Sequence, residues 1–441
     1  MSTSAELETG ELESSDTRSA ESRVEGAMRG FAREIGALSA FRLESCIHCG
    51  ICAESCHFYI ATEDPKYTPI WKVEPFKQAY KRESSAFAPV FRLLGLKAKV
   101  TADELAEWQH LLFDSCNMCG RCSLICPMGI DIAALIEQAR HAMFEAGLAP
   151  KELLEKAAHQ QLTGQPEASA EPYRDRLIEI GEEFQVEIPM DRPSVDVMLC
   201  VPRTDIEHYP EAVAALARVM HHLGVSCTFR SDGLIAENYG YFSGGRAWQR
   251  DISLRLIEQA ILCNAKVLLV PECGAAYTAL RWEAADLYGK PLPFQVRHVT
   301  EFVADALQAG ELTLQEAKTG MTTFHDPCQL VRKGGVKDAP RQIMKSLGIE
   351  LHELRDHGGF TFCCGGGGGV LDIESAAPLR YRTMEIKLRE IDDTGAETFL
   401  TTCSDCRRTF NDAKEHFGWN KSPKSLLELV AEHLDGTART R

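Results

Sequence analysis

The apolar positions of this chain fall into two regimes that change near position 194. Over 131–146 (DIAALIEQARHAMFEA), Ile132, Leu135, Ile136, Ala139, Met143 and Phe144 recur on one side of a predicted helix, which Gly147 ends. A second helix is predicted over 173–184, after a polar stretch, 164–172 (GQPEASAEP), that reads as linker and before Pro189 and Pro193. Beyond Ser194 short apolar runs at 195–201 (VDVMLCV), 266–270 (KVLLV), 321–324 and 398–401 predict buried strands. Helical runs such as 211–222 and 376–391 separate them. That alternation predicts an α/β region with a largely parallel sheet.

The first 150 residues carry two copies of one cysteine spacing: Cys46, Cys49, Cys52 and Cys56 repeat as Cys116, Cys119, Cys122 and Cys126. This C-x2-C-x2-C-x3-C run is that of bacterial two-cluster ferredoxins, in which three thiolates hold one 4Fe-4S cubane and the fourth reaches the other. Pro127 completes the pattern after the second run, while His57 stands where the first would carry proline. Two cubane clusters are expected. Structural zinc is the bland alternative, but it takes four ligands per site and would leave a third closely spaced cysteine surplus.

Composition changes the picture little. A chain of 441 residues suggests two or three domains and can bury a core without disulfide staples; its net charge of -16 argues against nucleic acid. Seventeen cysteines behind an acidic, Ser/Thr-rich start without an apolar leader point to the cytoplasm, and no run of apolar residues is long enough to span a membrane. The expected organisation is α+β and multidomain. Residues 1–20 form a disordered acidic tail, 21–150 a mainly α two-cluster ferredoxin-like domain, 151–193 a helical linker, and 194–441 a duplicated α/β domain.

Charge is unevenly placed. Between the cysteine runs an insertion, 66–99, holds Lys66, Lys72, Lys77, Lys81, Arg82, Arg92, Lys97 and Lys99 against only Glu74 and Glu83. Within it Phe87, Val90, Phe91 and Leu94 recur at helical spacing, with Pro89 tolerable in a first turn. Two readings stand: a face that docks a partner or membrane surface, and a connector packed on its own domain with solvated lysines.

The C-terminal half carries a second constellation: Cys328 in HDPC, Cys363 and Cys364 opening CCGGGGG, and Cys403 with Cys406 in CSDC. All five lie at predicted strand ends, where open α/β sheets place ligands. Adjacent cysteines diverge too much to serve one ordinary cubane, so the pair suggests a cluster with an opened core. Gly365, Gly366 and Gly367 of the glycine run lack Cβ atoms, so the backbone can approach such a cluster and aim N–H groups at its sulfurs. His325 and Asp326 are candidates either for supplying protons to a departing thiolate or for a structural turn.

The region also reads as duplicated. Cys200 precedes YGYFSGG and VPECGAAYTAL much as Cys328 precedes FTFCCGGGGG and TTCSDCRRTF, with 73 positions from Cys200 to Cys273 and 75 from Cys328 to Cys403. The first half lacks the cysteine pair and so is expected to hold no second cluster. Cys200 and Cys273 either line the cavity facing the intact site or are buried small hydrophobes, and Cys227 and Cys263 read as core.

Together, the paired ferredoxin runs with HDPC, FCCGGGGGV and CSDC resemble the HdrD-like iron-sulfur subunits of heterodisulfide reductases, with the DsrK type nearest. The likeness extends from about Arg42 onward and includes the basic insertion. It implies that Cys328, Cys363, Cys364, Cys403 and Cys406 hold a noncubane 4Fe-4S cluster that meets a disulfide, on a small molecule or a small carrier protein. The cubanes would exchange single electrons with it. The partners it implies are other redox subunits, often a membrane cytochrome, with the chain cytoplasmic or peripheral on the inner face of the membrane. The degenerate first half departs from two-cluster relatives. Two rival classes are an electron-transfer subunit of a flavoprotein dehydrogenase of the glycolate or glycerol-3-phosphate type, delivering electrons to quinone, and a docking subunit whose clusters only stabilise its fold.

Overall fold

The computed structural model describes residues 19–84, 90, 93–94, 100–167, 173–231 and 235–436. The helix predicted around 131–146 is Ile132–Glu145, capped by the Asp131 carboxylate on the Ala134 N–H. It packs against an unforeseen helix, Ala20–Glu34, which begins at the edge of the expected tail and is capped by Ser19. The seam is small on both sides: a Cβ on Gly30 would lie 2.9 Å from the Ala142 Cα, and one on Gly26 would lie 3.4 Å from that of Ala146. Small residues there let the backbones approach closely, and Phe31, Leu135 and Met143 close the core around them.

That core does not stop at the predicted domain edge. Tyr239, Phe242, Val370 and Ile373 join it from the later part of the chain. Helix Lys151–Thr163, within the stretch expected to be linker, buries Leu153 and Ala157. Its Gln160 amide donates to the Glu237 carbonyl (2.6 Å) and accepts from the Tyr239 N–H (2.9 Å). The helix is therefore a wedge between the two regions rather than a tether.

The later region holds two parallel sheets. The first contains β1 (Val197–Leu199), β2 (Cys227–Thr228), β3 (Val267–Val270) and β4 (Gln295–His298) in the order β2-β1-β3-β4. The second contains β5 (Thr322–Phe324), β6 (Thr398–Thr401) and β7 (Lys424–Ser425) in the order β5-β6-β7, and Leu351 forms a parallel bridge to Thr322 where β2 lies in the first. The two sheets thus share one strand order. Leu199, Leu269, Phe324, Leu400 and Leu427 lie in a single apolar cluster, so the halves stabilise each other. β2, β4 and β7 gave no sequence signal because two to four residues are too few to show a period.

The basic insertion is only partly described. Phe87, Phe91, Arg92, Lys97 and Lys99 lie outside the described residues, and Val90 and Leu94 are exposed. Two of its cations are not solvated. Lys72 and Lys77 are buried on helix Pro69–Ser84, with Lys72 Nζ over the Phe58 ring (4.6 Å). Among the described residues no helix is long and apolar enough to cross a membrane.

Replacing Gly30 by valine should force the two packed helices apart and cost about 1–3 kcal/mol, read as a lower denaturant midpoint with an unchanged slope.

Candidate iron-sulfur sites and their common wall

Both N-terminal cysteine runs bend in the same way. His48 and Met118 (φ 53° and 50°), then Gly50 and Gly120 (φ 80° and 73°), adopt left-handed backbone on either side of Cys49 and Cys119. Each bend curls three thiols around one point before a single helical turn, Ile51–Glu54 or Arg121–Leu124, carries the fourth cysteine away. Cys46, Cys49 and Cys52 line one cavity together with Cys126, and Cys116, Cys119 and Cys122 line another together with Cys56. The exchange of the fourth cysteine is the crossed arrangement of two-cluster ferredoxins.

The two cavities differ in setting. The first opens outward: Cys49 is exposed, and Ile47 (62% exposed) and Met128 (45%) flank it. The second is enclosed and surrounded by cations. Lys72 Nζ donates to the Ser115 carbonyl and lies 3.7 Å from Cys56 Sγ. Arg140, fully buried, donates to the carbonyls of Leu112 (3.0 Å), Cys116 (2.9 Å), Phe242 (3.2 Å) and Gly368 (2.7 Å).

The five C-terminal cysteines are brought together, all buried. Cys328 ends the turn after β5, Cys363 and Cys364 follow the turn Gly358–Phe360, and Cys403 caps helix Ser404–Phe417, whose first turn carries Cys406. Their thiols touch in a row: Cys328 meets Cys363, Cys363 meets Cys364, Cys364 meets Cys406, and Cys406 meets Cys403. Hydrogen bonds from Cys328 and Cys364 hold the Cys363 thiol well below the ordinary range. Its neighbours Cys328, Cys364 and Cys406 are pushed well above it by those same contacts and by burial. A compact group of soft sulfur donors that shed protons on metal binding suits an iron-sulfur cluster.

The glycine run does more than face these thiols. Gly365 N–H points at Cys363 Sγ (3.4 Å), as expected of a loop that tunes a sulfur. Gly366 packs on Thr409, whereas Gly367 and Gly368 press on Asn117 of the second ferredoxin-type run; a Cβ on Gly368 would lie 2.9 Å from the Asn117 carbonyl carbon. The Asn117 amide donates to the carbonyls of Gly365 (2.7 Å) and Gly367 (3.0 Å), and its oxygen meets His57 Nε2 (2.7 Å). From the other side Gln329 donates to the Met118 carbonyl (3.1 Å), and Arg332 to those of Cys119 (2.7 Å) and Gly359 (2.8 Å). The second ferredoxin-type loop is thus one wall of the five-thiol site. Sequence reasoning missed Asn117, Arg140, Gln329 and Arg332; the one available signal was His57 in place of proline.

His325 and Asp326 separate in role. Asp326 accepts from two Arg341 nitrogens (2.9 and 2.8 Å) and from the Gly358 N–H (2.6 Å), which makes it an anchor of the turn and no proton donor. His325 is 0% exposed, with its ring edge-on to Phe410 (5.1 Å). A ring nitrogen and the sulfurs of Cys364 and Cys406 all lie within 4.8 Å of one another. Burial pushes its pKa well below the usual histidine range.

Strand register corrects the repeat alignment. Cys200 N–H donates to the Leu269 carbonyl as His325 N–H donates to that of Leu400, so Cys200 matches His325, and Arg203 falls where the second half has Cys328. Cys273 caps helix Gly274–Thr278 as Cys403 caps its own. Cys200 and Cys273 are fully buried beside the Glu237 carboxyl, while Cys227 and Cys263 pack in the core as expected.

Two family models match the chain: the 4Fe-4S dicluster domain over residues 42–130 and the cysteine-rich CCG domain over 322–411. The chain is therefore an iron-sulfur electron-transfer protein that joins a dicluster domain to a CCG domain. It is 27% identical over 419 residues to one chain of the dihydromethanophenazine:CoB–CoM heterodisulfide reductase of Methanosarcina barkeri, the HdrD polypeptide, covering 91% of this chain and 96% of the relative. Identity is 24% to the Hdr-like menaquinol oxidoreductase iron-sulfur subunit of Archaeoglobus profundus (90% and 80% covered) and 28% to the EtfAB:quinone oxidoreductase of Syntrophomonas wolfei (81% and 52%). These relationships make it an HdrD-like iron-sulfur subunit.

Burial and the nearby Asp405 push Glu237 up to about 8 from 4.5. The folded chain therefore keeps a proton that the unfolded chain loses between those values, and stability should fall as pH rises through that window. Glu237→Gln should flatten the fall, seen as a smaller difference between denaturation midpoints at pH 6 and pH 9.

Proposed function

We propose that this subunit moves electrons between a redox partner and a thiol or disulfide substrate. In this reading Cys46, Cys49, Cys52 and Cys126 hold an outer cubane, and Cys116, Cys119, Cys122 and Cys56 an inner one. Cys328, Cys363, Cys364, Cys403 and Cys406 hold a noncubane 4Fe-4S cluster. The observation that carries it is the shared wall: Asn117 and Arg332 fasten the inner loop directly onto the five-thiol site.

When bound, the clusters supply one-electron steps and a metal-sulfur surface at which two electrons and two protons convert a disulfide into two thiols. The protein's part is placement. The exposed Cys49 loop meets the partner, whether a membrane cytochrome or another redox subunit, and the clamp of Asn117, Arg140 and Arg332 fixes the inner path. Burial keeps bulk water from the five thiols. A cytoplasmic chain resting on the inner face of the membrane fits a partner embedded there. DsrK-type work on a disulfide of a small molecule or carrier protein, within sulfur metabolism, is the finer form of this reading.

The second reading is electron delivery from a flavoprotein towards quinone. It draws support from the quinone-linked activities for which the menaquinol and EtfAB:quinone relatives are named. Thiol chemistry separates the two, since only the first reading needs a cluster that responds to thiol.

Anaerobically purified protein should carry about twelve irons and show a new paramagnetic signal on thiol addition. Cys364→Ser should abolish disulfide turnover and that signal while both cubanes remain reducible. About eight irons and no thiol response would reject the reading. A separate prediction concerns the buried cation beside Cys56: Lys72→Met should make the inner cubane's potential more negative and leave the outer one unchanged in an EPR-monitored titration.

A further inference from the structure

His325 presents a problem of unmet hydrogen bonding. Its ring is completely buried, and neither Nδ1 nor Nε2 has a partner among the described residues. A neutral imidazole offers one N–H and one lone pair, and leaving both unmet in an apolar interior is costly. The polar neighbours narrow the solutions. Lys387 is tied to Glu390 (2.7 Å) and has no acceptor to offer, and Thr401 spends its hydroxyl on the His325 main-chain carbonyl (3.2 Å). One side of the ring is closed by Phe410. What faces a ring nitrogen is sulfur: Cys364 and Cys406, within 4.8 Å.

This group is not built as a proton conduit. A relay needs hydrogen-bonded neighbours on both sides, and His325 has none on either ring nitrogen. The repeat offers an independent comparison. At the matching register position the first half, which lacks the cysteine pair, has Cys200 instead of an imidazole. The histidine accompanies the thiols in the half that keeps them.

We propose that His325 donates its ring N–H to sulfur at the Cys364 and Cys406 corner of the five-cysteine cluster, and so sets that cluster's potential. A hydrogen bond to a cluster sulfur stabilises the more negative, reduced state and raises the potential. The proposal rests on the reading that the five cysteines hold a cluster, and it deepens that reading by assigning a sixth residue to its surroundings.

The test compares three anaerobic proteins: wild type, His325→Leu and His325→Gln, the last of which keeps an N–H donor. In an EPR-monitored titration, His325→Leu should keep about twelve irons and unshifted cubanes while the potential of the third cluster moves more negative. His325→Gln should recover part of that shift. In wild type with labelled histidine, pulsed EPR should show a weakly coupled nitrogen. An unmoved potential in a fully loaded His325→Leu protein would overturn the proposal. So would a strong, directly bonded nitrogen coupling, which would make His325 an iron ligand instead. A wild type with about eight irons would reject the cluster reading itself, an outcome distinct from either.

Discussion

The packing of the second ferredoxin-type loop against the glycine run is the contact on which the rest of this molecule depends. At Gly367 and Gly368 the two backbones approach closely enough that a Cβ would fall 3.2 Å from the Asn117 oxygen and 2.9 Å from its carbonyl carbon. Asn117 reads both glycine carbonyls, and Arg140 ties Cys116 to Gly368. Two regions separated by more than 200 positions thereby become one site. The apolar core follows the same logic, running without a break from Phe31 and Leu135 to Phe242 and Val370.

Charge is arranged to suit that contact. Thiolate-held clusters carry negative charge, and burying it needs compensation nearby. Lys72, Arg121, Arg140 and Arg332 supply cations around the inner run, each also satisfying backbone carbonyls that the tight loops leave open. Arg121 in addition pairs with Asp356 (2.6 Å) and lies 3.5 Å from the centre of the Phe362 ring, just before the cysteine pair. The former first-half site is balanced differently. Its interior is filled by carboxyl groups such as Glu237 and Asp205, held protonated by burial, and by Arg203 where the other half has a ligand cysteine.

Much of this was legible in the residues, for physical reasons that differ by level. The cysteine spacings announced their crossed sharing because short steps on a curled loop admit few geometries, and Cys126 and Cys56 do lie in each other's cavities. The apolar runs that became β1, β3, β5 and β6 stood out because they are buried on both faces. Other features had no local signature. Asn117 and Arg140 look like ordinary polar residues until the fold brings distant carbonyls to them. Lys72 and Lys77 read as solvated because a charge run usually is. The repeat was seen but misaligned by three positions, since cysteines drew the eye where the proline shared by CVPR and HDPC marked the true register.

The five C-terminal thiols are buried, and part of their enclosure comes from a loop that emerges far earlier in synthesis. A metal centre shut in this way cannot be loaded through the finished wall. Its assembly must be completed while the glycine run is still parted from Asn117, which makes closure of that seam the last step of maturation. Repair of an oxidatively damaged inner centre would require the same seam to reopen.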